Sequence, residues 1–131
     1  MLHPSQFEVN EAWLAFKLND VPITTLADGD FNTIALMDAA SCFILSSAFV
    51  TATAAELSKT EAKRLLKEGR AHKRQLPATL FIPREQPAAV LSMEAERLGI
   101  EVVRVPMDQL LPIVREAKES FREHFGGGNT Q

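Results

Sequence analysis

One carboxylate and one run of cations are the groups of this chain whose type and setting could do chemistry. Asp38 is the single formal charge between Phe31 and Ala55, inside the apolar string Ile34-Ala35-Leu36-Met37-Asp38-Ala39-Ala40-Ser41-Cys42-Phe43-Ile44-Leu45. Burying a carboxylate without partners costs several kcal/mol, so Asp38 has to sit at a turn, find donors, or hold a metal ion. An Asp at the first position of a turn, with Ser41 at the fourth, can bond backbone N–H groups and nucleate a hairpin.

The cations are Lys59, Lys63, Lys67, Arg70 and Arg74. Their spacing puts them on one flank of a helix over residues 59–74, where they could track phosphates, and Lys73 adds to the count. Glu61 and Glu68 fall on the opposite flank, with the apolar stripe between. Such a flank is also what a solvated helix surface looks like. No aromatic interleaves with it in sequence, as single-strand binding favours, and no recognition-helix pattern is present.

Charge is unevenly placed around this segment. Residues 1–58 carry seven acids against Lys17 (−6), residues 59–74 carry seven cations and two acids (+5), and residues 75–131 carry six cations and eight acids (−2). The sum is the net −3, a weak background for a general nucleic-acid binder that still leaves one local basic face. Cys42 is the only cysteine, which excludes an intrachain disulfide and suits a reducing, cytoplasmic setting. Its apolar surroundings favour a buried, inert thiol. His3, His72 and His124 are too far apart in sequence to read as zinc spacing. Asp28-Gly29-Asp30 resembles a fragment of a calcium loop but lacks the other ligands, so a turn is expected. No phosphate-cradling glycine motif, signal peptide or membrane span is evident.

The elements that must position these groups follow from periodicity. Alternation at Leu14, Phe16 and Leu18 reads as a strand, with a helix over Asn10–Leu18 as the competitor, and Trp13 and Phe16 are candidates for the core. Ile23–Leu26 is a short strand candidate. Asn32–Met37 and Cys42–Val50 are apolar on both faces, as central strands are, and Asp38–Ser41 links them as a hairpin. Ser58-Lys59-Thr60-Glu61 matches a capping box, after which Ala62, Leu65, Leu66 and Gly69 share a helix face. Thr79–Ile82 is a buried strand, Pro87 suits the first turn of a second helix, and Gly99 suits its end. Ile100–Val105 is the last strand. A third helix starts near Asp108, with Pro112 in its first turn and Gly126-Gly127-Gly128 stopping it. On it, Glu116, Glu119 and Glu123 lie opposite the Val114/Ala117/Phe121 stripe and point to water.

The resulting fold class is α/β with an α+β-like N-terminal part, a mixed sheet in the order β-β-β-α-β-α-β-α. One domain spans residues 1–125, and residues 126–131 form a flexible glycine-rich tail. This order, with the Met37-Asp38-Ala39-Ala40-Ser41-Cys42-Phe43-Ile44-Leu45 segment, resembles ribonuclease H-like domains of transposase and integrase type. The resemblance implies an Asp at the end of the first strand holding a divalent metal, here Asp38. It implies a second Asp after the fourth strand, where this chain has Arg84, or Glu85 by a shift. The carboxylate set is therefore incomplete.

The expected function is a non-catalytic binding or regulatory domain without cofactor, with an unidentified protein or a second copy as partner. The homodimer is expected if Phe43, Leu45 and Phe49 are left uncovered. The alternatives are a Mg²⁺- or Mn²⁺-dependent phosphodiester enzyme using Asp38 and Glu85, and a nucleic-acid-binding module using Lys59, Lys63, Lys67, Arg70 and Arg74.

Overall fold

The computed structural model describes residues 1–20, 22–26 and 29–126. After a short 3-10 turn at Pro4–Gln6 come four strands: β1 (Ala12–Lys17), β2 (Ile23–Thr25), β3 (Gly29–Asp38) and β4 (Ile44–Thr51). Then α1 (Lys59–Lys73), β5 (Thr79–Pro83), α2 (Ala89–Arg97), β6 (Glu101–Val105) and α3 (Met107–Phe121) alternate, with one further helical segment over Arg122–Gly126. The strands form one mixed sheet, β4-β3-β1-β5-β6 across, with β2 extending the β1 side of β3. β1 and β3 pair antiparallel, as do β3 and β4, whereas β1, β5 and β6 run parallel.

Strand alternation divides the core in two. Trp13, Ala15, Ile34, Leu36, Leu45 and Ala48 face α1 and α2, where they meet Leu65, Leu66, Leu91 and Ala95. Leu14, Phe16, Ala35 and Met37 face α3, against Leu110, Ile113 and Val114. A sheet covered on both faces by helices is the reason its central strands read as continuously apolar. Within residues 10–18, where strand and helix competed, Ala12–Lys17 form a strand, because burying Trp13 and Phe16 on opposite faces satisfies both cores at once.

Several local expectations are corrected. The sequence order counted three strands before the first helix, and the short β2 makes a fourth. Ser58 caps α1, its hydroxyl accepting from Glu61 N–H, but the Glu61 carboxylate turns to Arg64 rather than back to the cap. Pro87 lies one residue before the Ala88 N-cap of α2 instead of in its first turn. Because α3 starts at Met107, Pro112 falls in its second turn. The helical path continues to Gly126, and the tail at 127–131 lies outside the described residues, as do Val21 and Asp28 of the two turn signals. Gly99 does end α2, at φ 86°, a conformation glycine adopts without strain. Gly69 marks a close approach: a Cβ there would lie 2.6 Å from Leu36 Cδ2 and 3.2 Å from the Trp13 ring.

Candidate functional site

Asp38 ends β3, opposite Trp13 of β1. It is completely buried. Its Oδ2 accepts from Ser41 N–H (2.8 Å) and the Ser41 hydroxyl (2.7 Å), while Oδ1 accepts from Asn10 N–H (2.7 Å). Asn10 is held in the left-handed region at φ 66°, and its own amide oxygen accepts from Trp13 Nε1–H at 2.7 Å. Its Nδ2 donates to the Gln75 carbonyl beyond α1. The Asp38 backbone closes the hairpin, with its N–H donating to Phe43 O and its carbonyl accepting from Cys42 N–H. Three short donors on one carboxylate offset the cost of burying its charge. They also occupy three of the carboxylate's roughly four acceptor sites, which leaves it little capacity for a metal.

Glu85 is at the other end of the sheet. Its Oε1 accepts from Met107 N–H at 2.9 Å and so caps α3, a placement the helix dipole favours. Asp38 is level with Trp13, and Trp13 with Leu80, whereas Glu85 lies past Pro83. Leu80 to Pro83 spans about 10 Å at roughly 3.3 Å per strand residue, and two strand spacings of about 4.8 Å separate the carboxylates laterally. This separation is incompatible with a shared ion. The resemblance placed the metal-holding Asp at the end of the first strand. The topology corrects that: Asp38 belongs to β3, and β1 carries no carboxylate. Glu116, Glu119 and Glu123 are exposed, as their helical phase requires. Among the described residues no group of three His, Cys, Asp or Glu side chains is arranged to hold a metal. The residues present do not fit the ion that the resemblance implies.

The two flanks of α1 differ. On one, Arg64 bonds Glu61 (2.8 Å) and Glu68 (2.9 Å) and reaches Ser47 O at 3.2 Å, while the Ser46 hydroxyl donates to Glu68. Arg64 holds the Glu61 carboxyl below its usual range, and Ser46 followed by Arg64 does the same for Glu68. On the other flank Lys59, Lys63, Lys67 and Arg70 are exposed. Arg74, expected to continue it, is instead the left-handed C-cap residue beyond the last turn (φ 61°), exposed but off the helical periodicity. None of the five is in an ion pair among the described residues. At the C-terminal end of α1 the fold supplies an aromatic that the linear sequence does not place there. Phe43 stacks on His72 (4.8 Å, 14°), with Lys73 Nζ 6.0 Å from its ring.

Cys42 corrects another expectation. It is exposed rather than buried, and sits at φ 60° in the hairpin. It shares a groove with Ile44, Glu116, Phe121 and His124. Partial desolvation, then the Glu116 and Asp38 charges, push its pKa up, so the thiol is not activated as a nucleophile. Leu45 is buried, whereas Phe43, although stacked on His72, stays 48% exposed and Phe49 61%. Phe49 packs edge-on against Phe31 at 5.1 Å on the side of β4 away from α1.

A cavity that sequence reading missed lies at the carboxyl ends of β1 and β5. It measures about 250 Å³ and is lined by Lys17, Asn32, Ile34, Val50, Glu56, Glu85, Gln86, Leu91 and Lys118, among others. Gln86 Oε1 accepts from Lys17 N–H, and Arg104 Nη2 fixes the β5–α2 loop through the carbonyls of Pro83 (3.0 Å) and Gln86. No sequence signal marked it, because its walls come from five separate segments.

No family model matches the chain, and no curated protein matches it. Among solved structures, it is similar to a chain of the simian T-cell lymphotropic virus intasome in complex with PP2A regulatory subunit B56 gamma, determined by electron cryomicroscopy. The TM-score is 0.60 at 14% identity, over 84% of this chain and 37% of that one. The likeness is one of fold, and it is compatible with a distant ribonuclease H-like relationship. Among the described residues no helix is long and apolar enough to cross a membrane.

Proposed function

We propose that this chain is a binding domain without phosphodiester chemistry, and that its basic α1 flank binds the backbone of a nucleic acid. One observation carries the reading: four exposed cations share a flank, with Arg74 following at the C-cap, and none of the five has an ion-pair partner among the described residues, while Arg64 neutralises both carboxylates on the opposite flank. A flank of this kind gains affinity by releasing counterions from phosphates. The fold neighbour is a viral intasome chain, which is in keeping with such a role but does not assign it.

The test is fluorescence anisotropy with single-stranded and duplex oligonucleotides over a salt series. Binding should weaken linearly on a log–log plot, by about 0.7–0.9 in slope for each phosphate contacted. Reversing Lys63 and Lys67 to Glu should abolish it. Binding that is absent or insensitive to salt would overturn the reading. Thermal melts with millimolar Mg²⁺ or Mn²⁺ test the metal alternative in parallel. Stabilisation of the wild type that is lost in Asp38→Asn would restore it, and no metal shift is expected.

A second reading, a protein partner or a second copy seated on β4, is favoured by the uncovered Phe43, Ile44 and Phe49. Sedimentation that shows a monomer at high concentration would remove the second copy.

A further inference from the structure

We propose that the cavity at the carboxyl ends of β1 and β5 binds a small amphipathic anion, a carboxylate with a short apolar tail. The site is independent of the α1 flank. β1 and β5 are adjacent and parallel, but their chains leave in opposite directions: β1 leads toward β2 and β3, and β5 leads through α2 to β6. Divergent exits open a crevice beyond the strand ends, the place where open α/β sheets bind ligands. Here the crevice is a real space of about 250 Å³, with Ile34, Val50 and Leu91 as its apolar wall.

The polar groups set the sign of the ligand. Glu56 Oε1 accepts from Val90 N–H at 2.7 Å and Glu85 Oε1 from Met107 N–H at 2.9 Å, so each carboxylate has one oxygen on a helix N-terminus whose dipole complements its charge. Lys118 is bonded to Asp20 at 2.8 Å. The Lys17 ammonium makes no hydrogen bond or ion pair among the described residues and meets Asp20 only through space. Lys17 stands on the sheet face of Trp13 and Ala15, beside the apolar wall. An apolar body against Ile34, Val50 and Leu91 would place its carboxylate on Lys17, the one cation of the lining without a hydrogen-bonded partner among the described residues.

The probes are hexanoate, hexan-1-ol and hexylamine, titrated into the full chain while methyl and amide NMR signals are followed. Hexanoate should give saturable shifts at Ile34, Val50 and Leu91 and bind about tenfold or more tightly than the alcohol, the scale of one charge-assisted hydrogen bond. Lys17→Met should remove that advantage and leave the weak alcohol binding unchanged. The proposal is overturned by absent shifts, by hexylamine or hexanol binding as well as hexanoate, or by full hexanoate affinity in Lys17→Met. The ranking of the three probes on the unaltered chain decides the matter even if the variant folds poorly. Oligonucleotide binding by α1 is scored separately, so either proposal can fail without the other.

Discussion

The two ends of β1 handle polarity in opposite ways. At the Ala12 end, Asp38 is fully buried and bonded by Asn10 and Ser41, and Asn10 in turn binds Trp13. At the Lys17 end, an ammonium stands beside a cavity with one apolar wall and has no hydrogen-bonded partner among the described residues. The sequence drew attention to the first end, since a lone carboxylate in an apolar run is conspicuous. In the structure that group is bonded on both oxygens, by Ser41 within the hairpin and by Asn10. What is left unsaturated is available to a ligand, and a lysine at a strand end gives no warning of that.

The largest test of this contrast is Asp38→Ala. It removes three hydrogen bonds to a charged, fully buried acceptor, whose donors sit on the half-buried Asn10 and the exposed Ser41, and should cost about 2–3 kcal/mol in chemical denaturation. A loss under about 1 kcal/mol would mean that the hairpin does not depend on the knot. Gly69→Ala should come next. The added Cβ meets Leu36, itself fully buried, at 2.6 Å, and overpacking of about 1–3 kcal/mol outweighs the roughly 1 kcal/mol of helix propensity gained. A more stable variant would show that α1 can lift from the sheet without loss.

Arg64→Ala should matter less at neutral pH, by no more than about 1 kcal/mol, because its ion pairs are a third or more exposed. Its signature is in acid. Glu61 and Glu68 have folded pKa values below their ordinary 4.5, so their contribution is present above that value and is lost as pH falls through the depressed values. The variant should therefore lose less stability than the wild type below about pH 4.5, where the wild type's two carboxylates protonate. Glu68 keeps part of its shift through Ser46. Smallest of all, Lys17→Met should change stability by less than about 0.5 kcal/mol, since no bond of the fold uses its ammonium. A larger loss would erase the distinction between the two ends.

Much of the fold was legible in the residues. Helix faces at Ala62, Leu65 and Leu66, the Ser58 cap and the Gly99 stop are local patterns with a period or a φ requirement, and such patterns survive folding unchanged. The β3–β4 hairpin was legible because its linker is short and carries Asp and Ser at the right spacing. The positions of single groups were not. Cys42 was expected inside and lies exposed, because the hairpin turn lifts it out of the strand alternation.

The amino-acid sequence by itself determined the α/β class, the basic flank of α1 and the outward phase of Glu116, Glu119 and Glu123, since each depends on spacing along one element. Only the tertiary structure decided that Asp38 and Glu85 stand at opposite ends of the sheet, that Phe43 stacks on His72, and that Lys17 borders a cavity. Those facts depend on strand register and on which ends of parallel strands coincide. Register is fixed by burying both sheet faces together, a condition that no single segment contains.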